Sequence, residues 1–329
     1  MSIPVAKIFF SFYDLIMGNY IVFDLEWNQG EAPVTRDGKT LVFEIVEIGA
    51  VKLNERFEKI GEFSRLIKPQ IHRYMHRVTG KIIHLSMDDL KNGGLFQEVA
   101  EEFLDWCGEN PKFCTWGTLD LTEFQRNLDF FGMPLLSDRP LAYYDVQKLY
   151  SIAFDDGRSR KSLESAIDER GIIKDIPFHR ALADADYTAK IFAMIDDNTL
   201  KKISFDTYVT PKTRKQEIRI VFDNYEKYIS REFELKEDIL ENMEIMSTRC
   251  YICGKNIRRK IKWFTPNGKH YYAVGMCEKH GAMKAKVRIK KAENGKLYVV
   301  KTCRFISPDE VESLKKRQMK IKKSRSKLP

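Results

Sequence analysis

Residues 20–26 read Tyr20-Ile21-Val22-Phe23-Asp24-Leu25-Glu26. A nearly continuous apolar run of this length is the signature of a strand buried on both faces. It ends on two carboxylates. Side chains alternate along a strand, so Asp24 and Glu26 project from the same face. Two like charges held that close on an apolar strand repel each other unless a positive charge lies between them. A divalent cation answers that need, although an Asp-x-Glu pair by itself reads more simply as two surface carboxylates. The surrounding sequence has to decide.

Moving outward, residues 27–40 are rich in Gly, Pro, Asn and Asp and read as a loop. Residues 41–53 read as a second strand, with Gly49 marking a bend or a close approach. Residues 60–68 read as a third, closing a meander. The period then changes: Leu95, Val99, Phe103, Leu104 and Trp106 recur at helical spacing. Residues 113–116 suggest a short strand, and Thr122 a cap for a helix carrying Phe124, Leu128 and Phe131. Residues 160–170 and 181–195 are two further helical patterns. Strands first, then strands alternating with helices, indicate an α/β or mixed α+β sheet.

Two more acidic positions fall in that frame. Trp116-Gly117-Thr118-Leu119-Asp120 runs a strand into a single Asp, and His179 precedes a helix that presents Asp184. Asp186, two residues on, points about 200° away around that helix and cannot serve the same site.

Taken in order, Phe23-Asp24-x-Glu26, Trp116-Gly117-x-x-Asp120 and His179-x4-Asp184 resemble the three motifs of the DEDDh (DnaQ-like) 3′–5′ exonucleases. Glu44-Ile45-Val46-Glu47-Ile48-Gly49-Ala50-Val51 resembles the second strand of that family. Val78-Thr79-Gly80 resembles its segment near the substrate's 3′ end. The Trp-Gly form of the second motif is similar to the branch of the enhanced-RNAi exonucleases and the bacterial KinA-pathway inhibitor. The resemblance covers residues 19–197 and implies a ribonuclease H-like mixed sheet flanked by helices. It implies two Mg²⁺ or Mn²⁺ ions held by Asp24, Glu26, Asp120 and Asp184, with His179 as general base. One departure is the segment from Gln29 to Thr40, which looks longer than usual for the family. The chemistry suits the residue types. Hard divalent ions prefer carboxylate oxygen, and an imidazole with its pKa near 6.5 removes protons at neutral pH. His72, His76 and His84 are read as surface residues.

The six cysteines are too few and too uneven for a disulfide scaffold. Four crowd into the last quarter. Cys250-x-x-Cys253-Gly254 is followed by Cys277-x-x-His280-Gly281, two knuckles around one hairpin. Glycines at those positions let the backbone turn and aim N–H groups at sulfur. The pattern resembles a zinc ribbon and implies one structural Zn²⁺, with Cys303 as an alternative to His280 and His270 as a weaker one.

Charge is divided along the chain. Residues 198–329 carry 33 Lys and Arg against 15 Asp and Glu, a net of +18, while residues 1–197 hold 23 against 32, a net of −9. Residues 247–329 alone hold 24 against 5. That is the footprint of a polyanion binder. Arg258, Arg259, Lys260, Lys262, Lys284, Lys286 and Arg288, interleaved with Trp263, Phe264, Tyr271 and Tyr272, are the expected nucleic-acid contacts, the basic groups on phosphates and the aromatics on bases. About half of those aromatics are expected in the small core. Asn-Gly turns at 267–268 and 294–295 separate hairpins in this part, and Ser307-Pro308-Asp309-Glu310 starts a final helix.

With 43% hydrophobic and 31% charged residues in 329, the chain is globular and long enough for two domains. No run of 18 residues is free of charge, and no leader pattern is seen. The expected organisation is an N-terminal extension (1–18), exonuclease domain (19–197), linker and helix (198–246), a small β-rich zinc-ribbon-like module (247–306) and a basic helix and tail (307–329). Met17 is an alternative start. The expected protein is a cytoplasmic exonuclease acting on single-stranded nucleic acid, RNA before DNA, with no membrane partner. The alternative is a non-catalytic adaptor on the same fold, against which the complete acidic set argues.

Overall fold

The apolar run at residue 20 forms the middle of a sheet. In the computed structural model, which describes residues 18–325, β1 (Tyr20–Arg36) pairs antiparallel with β2 (Lys39–Leu53), and β2 with β3 (Lys59–Leu66). The chain continues through α1 (Arg77–Ile83), α2 (Met87–Leu90) and α3 (Phe96–Cys107) to β4 (Lys112–Thr115). Then follow α4 (Leu119–Phe130), β5 (Leu141–Asp145), α5 (Val146–Phe154), α6 (Leu163–Arg170), α7 (Ala181–Phe192), α8 (Asp197–Leu200) and β6 (Ser204–Asp206). The sheet order is β3-β2-β1-β4-β5-β6, with β4 parallel to β1 and β5. This is the expected mixed sheet with helices on its faces. Expectations for residues 1–17 and for the last four residues of the tail lie outside the described residues.

Inward side chains of β1 build the core on one face. The Phe23 ring lies 5.8 Å from Phe103 and 5.7 Å from Phe113, and Phe103 lies 5.5 Å from Phe124. Each such ring stabilises the fold by about 1.5–3 kcal/mol through the apolar area removed from water. Phe23 and Leu25 anchor the strand through this face, and their neighbours Asp24 and Glu26 are presented on the opposite one.

On that opposite face α7 crosses β1 and β2 at very short range. A Cβ on Gly49 would come within 2.0 Å of the Leu182 nitrogen and 2.1 Å of the Ala181 carbon. Gly49 is therefore the close approach that the sequence suggested. Gly49→Ala must push the start of α7 off the sheet. It should cost about 1–3 kcal/mol, the range for overpacking, and should lower nuclease activity as well, because Asp184 travels with the helix. A thermal melt and an activity assay on one preparation check this; full activity with unchanged melting would show that the helix start yields freely.

The first unit departs from expectation at two places. Residues 27–36, expected as loop, continue β1 into a long hairpin arm, with Val34 opposite Leu41 and Thr35 opposite Thr40. The arm turns at Asp37-Gly38, both at positive φ (49° and 76°), which is the geometry of a two-residue hairpin turn. Thr122 is not a cap: Thr118 occupies that position, and Thr122 Oγ1 sits inside α4, donating to the Thr118 carbonyl at 3.0 Å.

The chain divides between Tyr208 and Val209. The second unit holds β7 (Ile218–Val221), β8 (Tyr225–Ile229), α9 (Lys236–Glu241), α10 (Met243–Met246), β9 (Arg258–Phe264), β10 (His270–Cys277), β11 (Gly281–Lys291), β12 (Leu297–Phe305) and α11 (Pro308–Arg325). Its strands form one antiparallel sheet in the order β7-β8-β12-β11-β10-β9. The hairpins and the last helix stand where expected, with the Glu310 N–H donating to Ser307 Oγ at 3.3 Å. The stretch 198–246, expected as linker and helix, holds the helices α9 and α10 but also supplies β6 to the first sheet and β7 and β8 to the second. Pairing of β8 with β12 makes the second unit a six-stranded sheet, larger than a ribbon. One face packs Ile239 and Ile245 against Tyr228, Val287 and Val299. The other packs Val311 and Leu314 against Ile261, Phe264 and Val274. Among the described residues no helix is long and apolar enough to cross a membrane.

Candidate functional site

The opposite face of β1 carries the acidic residues. Carboxylate oxygens of Asp24, Glu26 and Asp184 all lie within 4.8 Å of one another. Asp184 reaches them from the first turn of α7, seated by Gly49. Its Oδ2 accepts the His179 N–H at 3.2 Å, while its Oδ1 is buried with no hydrogen-bond partner. Asp120, in the first turn of α4, is buried and accepts backbone N–H groups, Leu25's among them. It stands outside the converging three, though its charge acts on Asp24.

Burial and mutual repulsion keep protons on this face. Desolvation, then the charges of Asp120, Glu26 and Asp184, push Asp24 well above the usual carboxylate range. Glu26 is raised to about 8 by burial and by Asp184 and Glu47. Burial takes Asp120 to about 7 and Asp184 to about 6. Convergent oxygens, one of them orphaned, are what hard divalent ions need in place of water.

His179 sits in the bend before α7 with its backbone left-handed, at φ 65°. Such strain in a residue other than glycine persists only where the surroundings fix it. The fixture is next in the chain. Arg180 grips Glu47 with two parallel hydrogen bonds, Nη2 to Oε1 at 2.8 Å and Nε to Oε2 at 3.1 Å. Glu47, 1% exposed, lies opposite Glu26 in the β1–β2 register. No local motif marks this pair. The available signal was a carboxylate inside the buried run 45–51, which requires a partner. Asp186 faces away as expected, pairing with Lys59 at 2.7 Å and Lys190 at 3.0 Å.

The histidines expected at the surface divide. His84 is exposed and His76 half-buried, whereas His72 is buried against Gly30. His72 is drawn inward because the buried Glu44 carboxylate accepts the N–H groups of Ile71 and His72 at 2.9 and 2.7 Å.

The second constellation closes as well. Cys250, Cys253, Cys277 and His280 bring their sulfur and nitrogen atoms within 4.8 Å of one another. Cys253 and Cys277 sulfurs are 3.8 Å apart, and His280 Nδ1 is 3.4 Å from the Cys250 sulfur and 3.6 Å from that of Cys277. A tetrahedron with Zn–S bonds near 2.3 Å and a Zn–N bond near 2.0–2.1 Å has edges of roughly 3.8 and 3.6 Å, so the donors suit zinc in type and spacing. Gly254 and Gly281 turn at φ 71° and 87°. The Lys255 N–H lowers the Cys253 thiol; those of Lys279 and His280 lower Cys277 against the opposing effect of burial. Cys303 stands apart, packed with Met283 and Ala285, and burial pushes its thiol up to about 11. His270 is held by Asn267.

Among the expected nucleic-acid contacts, Arg258, Arg259, Lys260, Lys262 and Arg288 are exposed; Lys284 and Lys286 are partly so. Phe264 and Tyr271 are buried and Trp263 and Tyr272 partly exposed, the even division anticipated.

Several solved structures resemble the chain in fold. The nuclease domain of 3′hExo, a DEDDh family member bound to rAMP, shares 18% identity over 57% of this chain and 96% of that one, with a TM-score of 0.46. Cell-death related nuclease 4 shares 14% over 58% and 67%, at 0.45. Escherichia coli (E. coli) exonuclease I with a dA16 oligonucleotide shares 12% over 79% and 55%, also at 0.45. No curated protein sequence matches this chain. A family model does, the exonuclease model RNase_T: it covers residues 21–192, from the first strand through α7, more than half of the chain, and the chain belongs to that exonuclease family.

Proposed function

We propose that the chain is a metal-dependent 3′–5′ exonuclease of the DEDDh type, in the enhanced-RNAi and KinA-pathway-inhibitor branch. It trims single-stranded 3′ ends, RNA before DNA, to 5′-nucleoside monophosphates. The observation that carries the reading is the meeting of Asp24, Glu26 and Asp184 with the buried, unpartnered Asp184 Oδ1.

Asp24, Glu26, Asp120 and Asp184 would hold two Mg²⁺ or Mn²⁺ ions. When bound, these ions neutralise the developing phosphorane charge and ease ionisation of water. His179 takes the proton of the attacking water at its imidazole. The water oxygen bonds to phosphorus, the P–O3′ bond breaks, and O3′ leaves as an alkoxide that takes a proton from solvent water to become the new 3′-hydroxyl of the shortened strand. The released nucleotide keeps the 5′-phosphate. The Arg180–Glu47 pair holds the bend that carries His179, and Gly49 seats Asp184. Cys250, Cys253, Cys277 and His280 would hold one structural Zn²⁺ in a zinc-ribbon-like knuckle, and the basic strands around it would hold nucleic acid.

The test is a 5′-labelled oligonucleotide, as RNA and as DNA, incubated with Mg²⁺ and with EDTA. A ladder shortening by one nucleotide at a time with Mg²⁺ alone is expected. Immediate release of the label as mononucleotide would reverse the polarity, and an intact oligonucleotide would favour an adaptor.

The carboxyl titrations give a second measurement. Because Glu26, Asp120 and Asp184 are raised to about 8, 7 and 6, the folded chain keeps protons that the unfolded chain has already lost. Their contribution to stability is present below the unfolded value near pH 4 and is lost as pH rises through the raised values. A cation bound to the ionised carboxylates reverses that loss. Added Mg²⁺ should thus raise the melting temperature of the first unit clearly at about pH 8 and little at about pH 5. An equal shift at both would place the cation elsewhere.

A further inference from the structure

We propose that the cleft along β9 is a stacking site for one base of a single-stranded nucleic acid, with Trp263 as its platform. This deepens the nuclease reading and rests on it for the substrate class. The cleft measures about 620 Å³ and is lined by Ile257, Arg258, Arg259, Lys262 and Trp263. That volume falls within the ~300–1,000 Å³ of ordinary ligand pockets. It opens on the sheet face opposite α11: Trp263 packs with Tyr228, Val287 and Val299, whereas Val311 and Leu314 of the helix cover Ile261 and Phe264 on the other side. The floor is apolar, because Ile257 and Trp263 both rest on Met283, Ala285 and Cys303. The rim is cationic: Arg258, Arg259 and Lys262 are exposed, and among the described residues none of the three is in an ion pair.

Trp263 suits the part. It is only partly buried. Its indole N–H donates to the Met246 carbonyl at 2.6 Å, which fixes the plane of the ring. Among the described residues no ring or cation lies over it. The neighbouring aromatics are occupied. Tyr272 lies under the Arg317 guanidinium at 5.0 Å and beside the Phe264 ring at 5.8 Å. Tyr271 is buried, with the Lys236 ammonium 5.8 Å from its ring. A fixed, open indole edged by three cations matches one nucleotide, with its base on the ring and the flanking phosphates on Arg258, Arg259 and Lys262. A base stacked on an aromatic ring strengthens binding roughly 5- to 150-fold. In a duplex both faces of each base are already stacked on neighbours, so an unpaired strand is the form that can offer one. The site reads no sequence, since every base has a π-face.

The experiment uses full-length Asp24→Asn protein without divalent ions. A single strand carrying 5-iodouracil is bound and irradiated, and the covalent adduct is located by mass spectrometry. An adduct on Trp263 is expected; adducts on other residues only would overturn the proposal. Binding is then compared between an oligothymidine and an abasic oligodeoxynucleotide of equal phosphate number. The base-bearing strand should bind roughly 10-fold tighter or better. Trp263→Leu should remove that difference and leave the salt dependence unchanged, because stacking releases no counterions. Arg258→Gln/Lys262→Gln should do the reverse, keeping the difference and flattening the salt dependence by about 0.7 for each phosphate no longer neutralised. Circular dichroism and zinc content report folding; if Trp263→Leu does not fold, the adduct decides. Equal binding of the two strands, or a difference that folded Trp263→Leu retains, overturns the proposal. Shortening of a labelled single strand by the wild-type protein is scored separately. Activity without an adduct at Trp263 defeats this proposal alone, and the adduct without activity defeats the nuclease reading alone.

Discussion

Asp24→Asn is expected to leave no detectable hydrolysis while the fold persists. The substitution keeps the shape of the side chain and removes its charge from the centre of the acidic face. Phe23 and Leu25, which anchor the strand from the other side, are untouched. In the metal-free protein the change relieves the repulsion that Asp24 shares with Asp120, Glu26 and Asp184. Its melting temperature without divalent ions should accordingly equal or exceed that of the wild type. The loss of metal-free stability toward alkaline pH should become shallower, because fewer raised carboxyls remain to ionise. Oligonucleotide assays and melts across the pH range check both halves. Turnover at the wild-type rate would remove Asp24 from the chemistry.

His179→Ala should slow turnover by roughly 10²–10⁴-fold, the range for loss of a general base. Divalent-ion binding should survive, since His179 reaches Asp184 through its backbone N–H, which alanine retains. The informative companion is Asp186→Asn, seven residues on. Its carboxylate is held below its usual range, against burial, by hydrogen bonds from Lys59 and Lys190. Losing the charge of this buried carboxylate, paired with two partly exposed lysines, should cost stability of about 1–3 kcal/mol and leave kcat essentially unchanged. Isothermal titration with Mn²⁺ and single-turnover kinetics separate the two variants. Equal sensitivity at 184 and 186 would mean that the helix presents its other face.

What could be read in advance follows the strength of the local signals. The strand at 20–26 was legible because burial on both faces leaves a continuous apolar run, and the cysteine knuckles because metal geometry fixes their spacing. The hairpin arm at 27–36 was hidden because it carries Asn28, Gly30 and Pro33 in the manner of a loop; the pairing that makes it a strand comes from β2. Strands β7 and β8 were hidden because they are short and charged, and their partner β12 lies some seventy residues downstream, with Val300 opposite Ile229. The Arg180–Glu47 pair joins residues 133 positions apart, so only the need for a partner, and not its identity, was written locally. The imidazole at 179 was legible through its neighbours in the motif; its left-handed backbone was not.

The strand order of the second sheet also sets a schedule for synthesis. β8 leaves the ribosome early, yet its neighbour in the finished sheet is β12, the last strand to be made. At about 5–20 residues per second, several seconds pass before that partner exists. Throughout the interval the β7–β8 hairpin has an open edge and Tyr228 and Ile229 lack their cover, which is the condition for pairing with another chain. The first sheet has a comparable interval, because the outer edge of β1 waits for β4, with Cys114 opposite Val22. During translation, aggregation is therefore a hazard of both units, each while one strand waits for a late neighbour, and its severity should follow elongation rate and chaperone supply more closely than the stability of the finished protein.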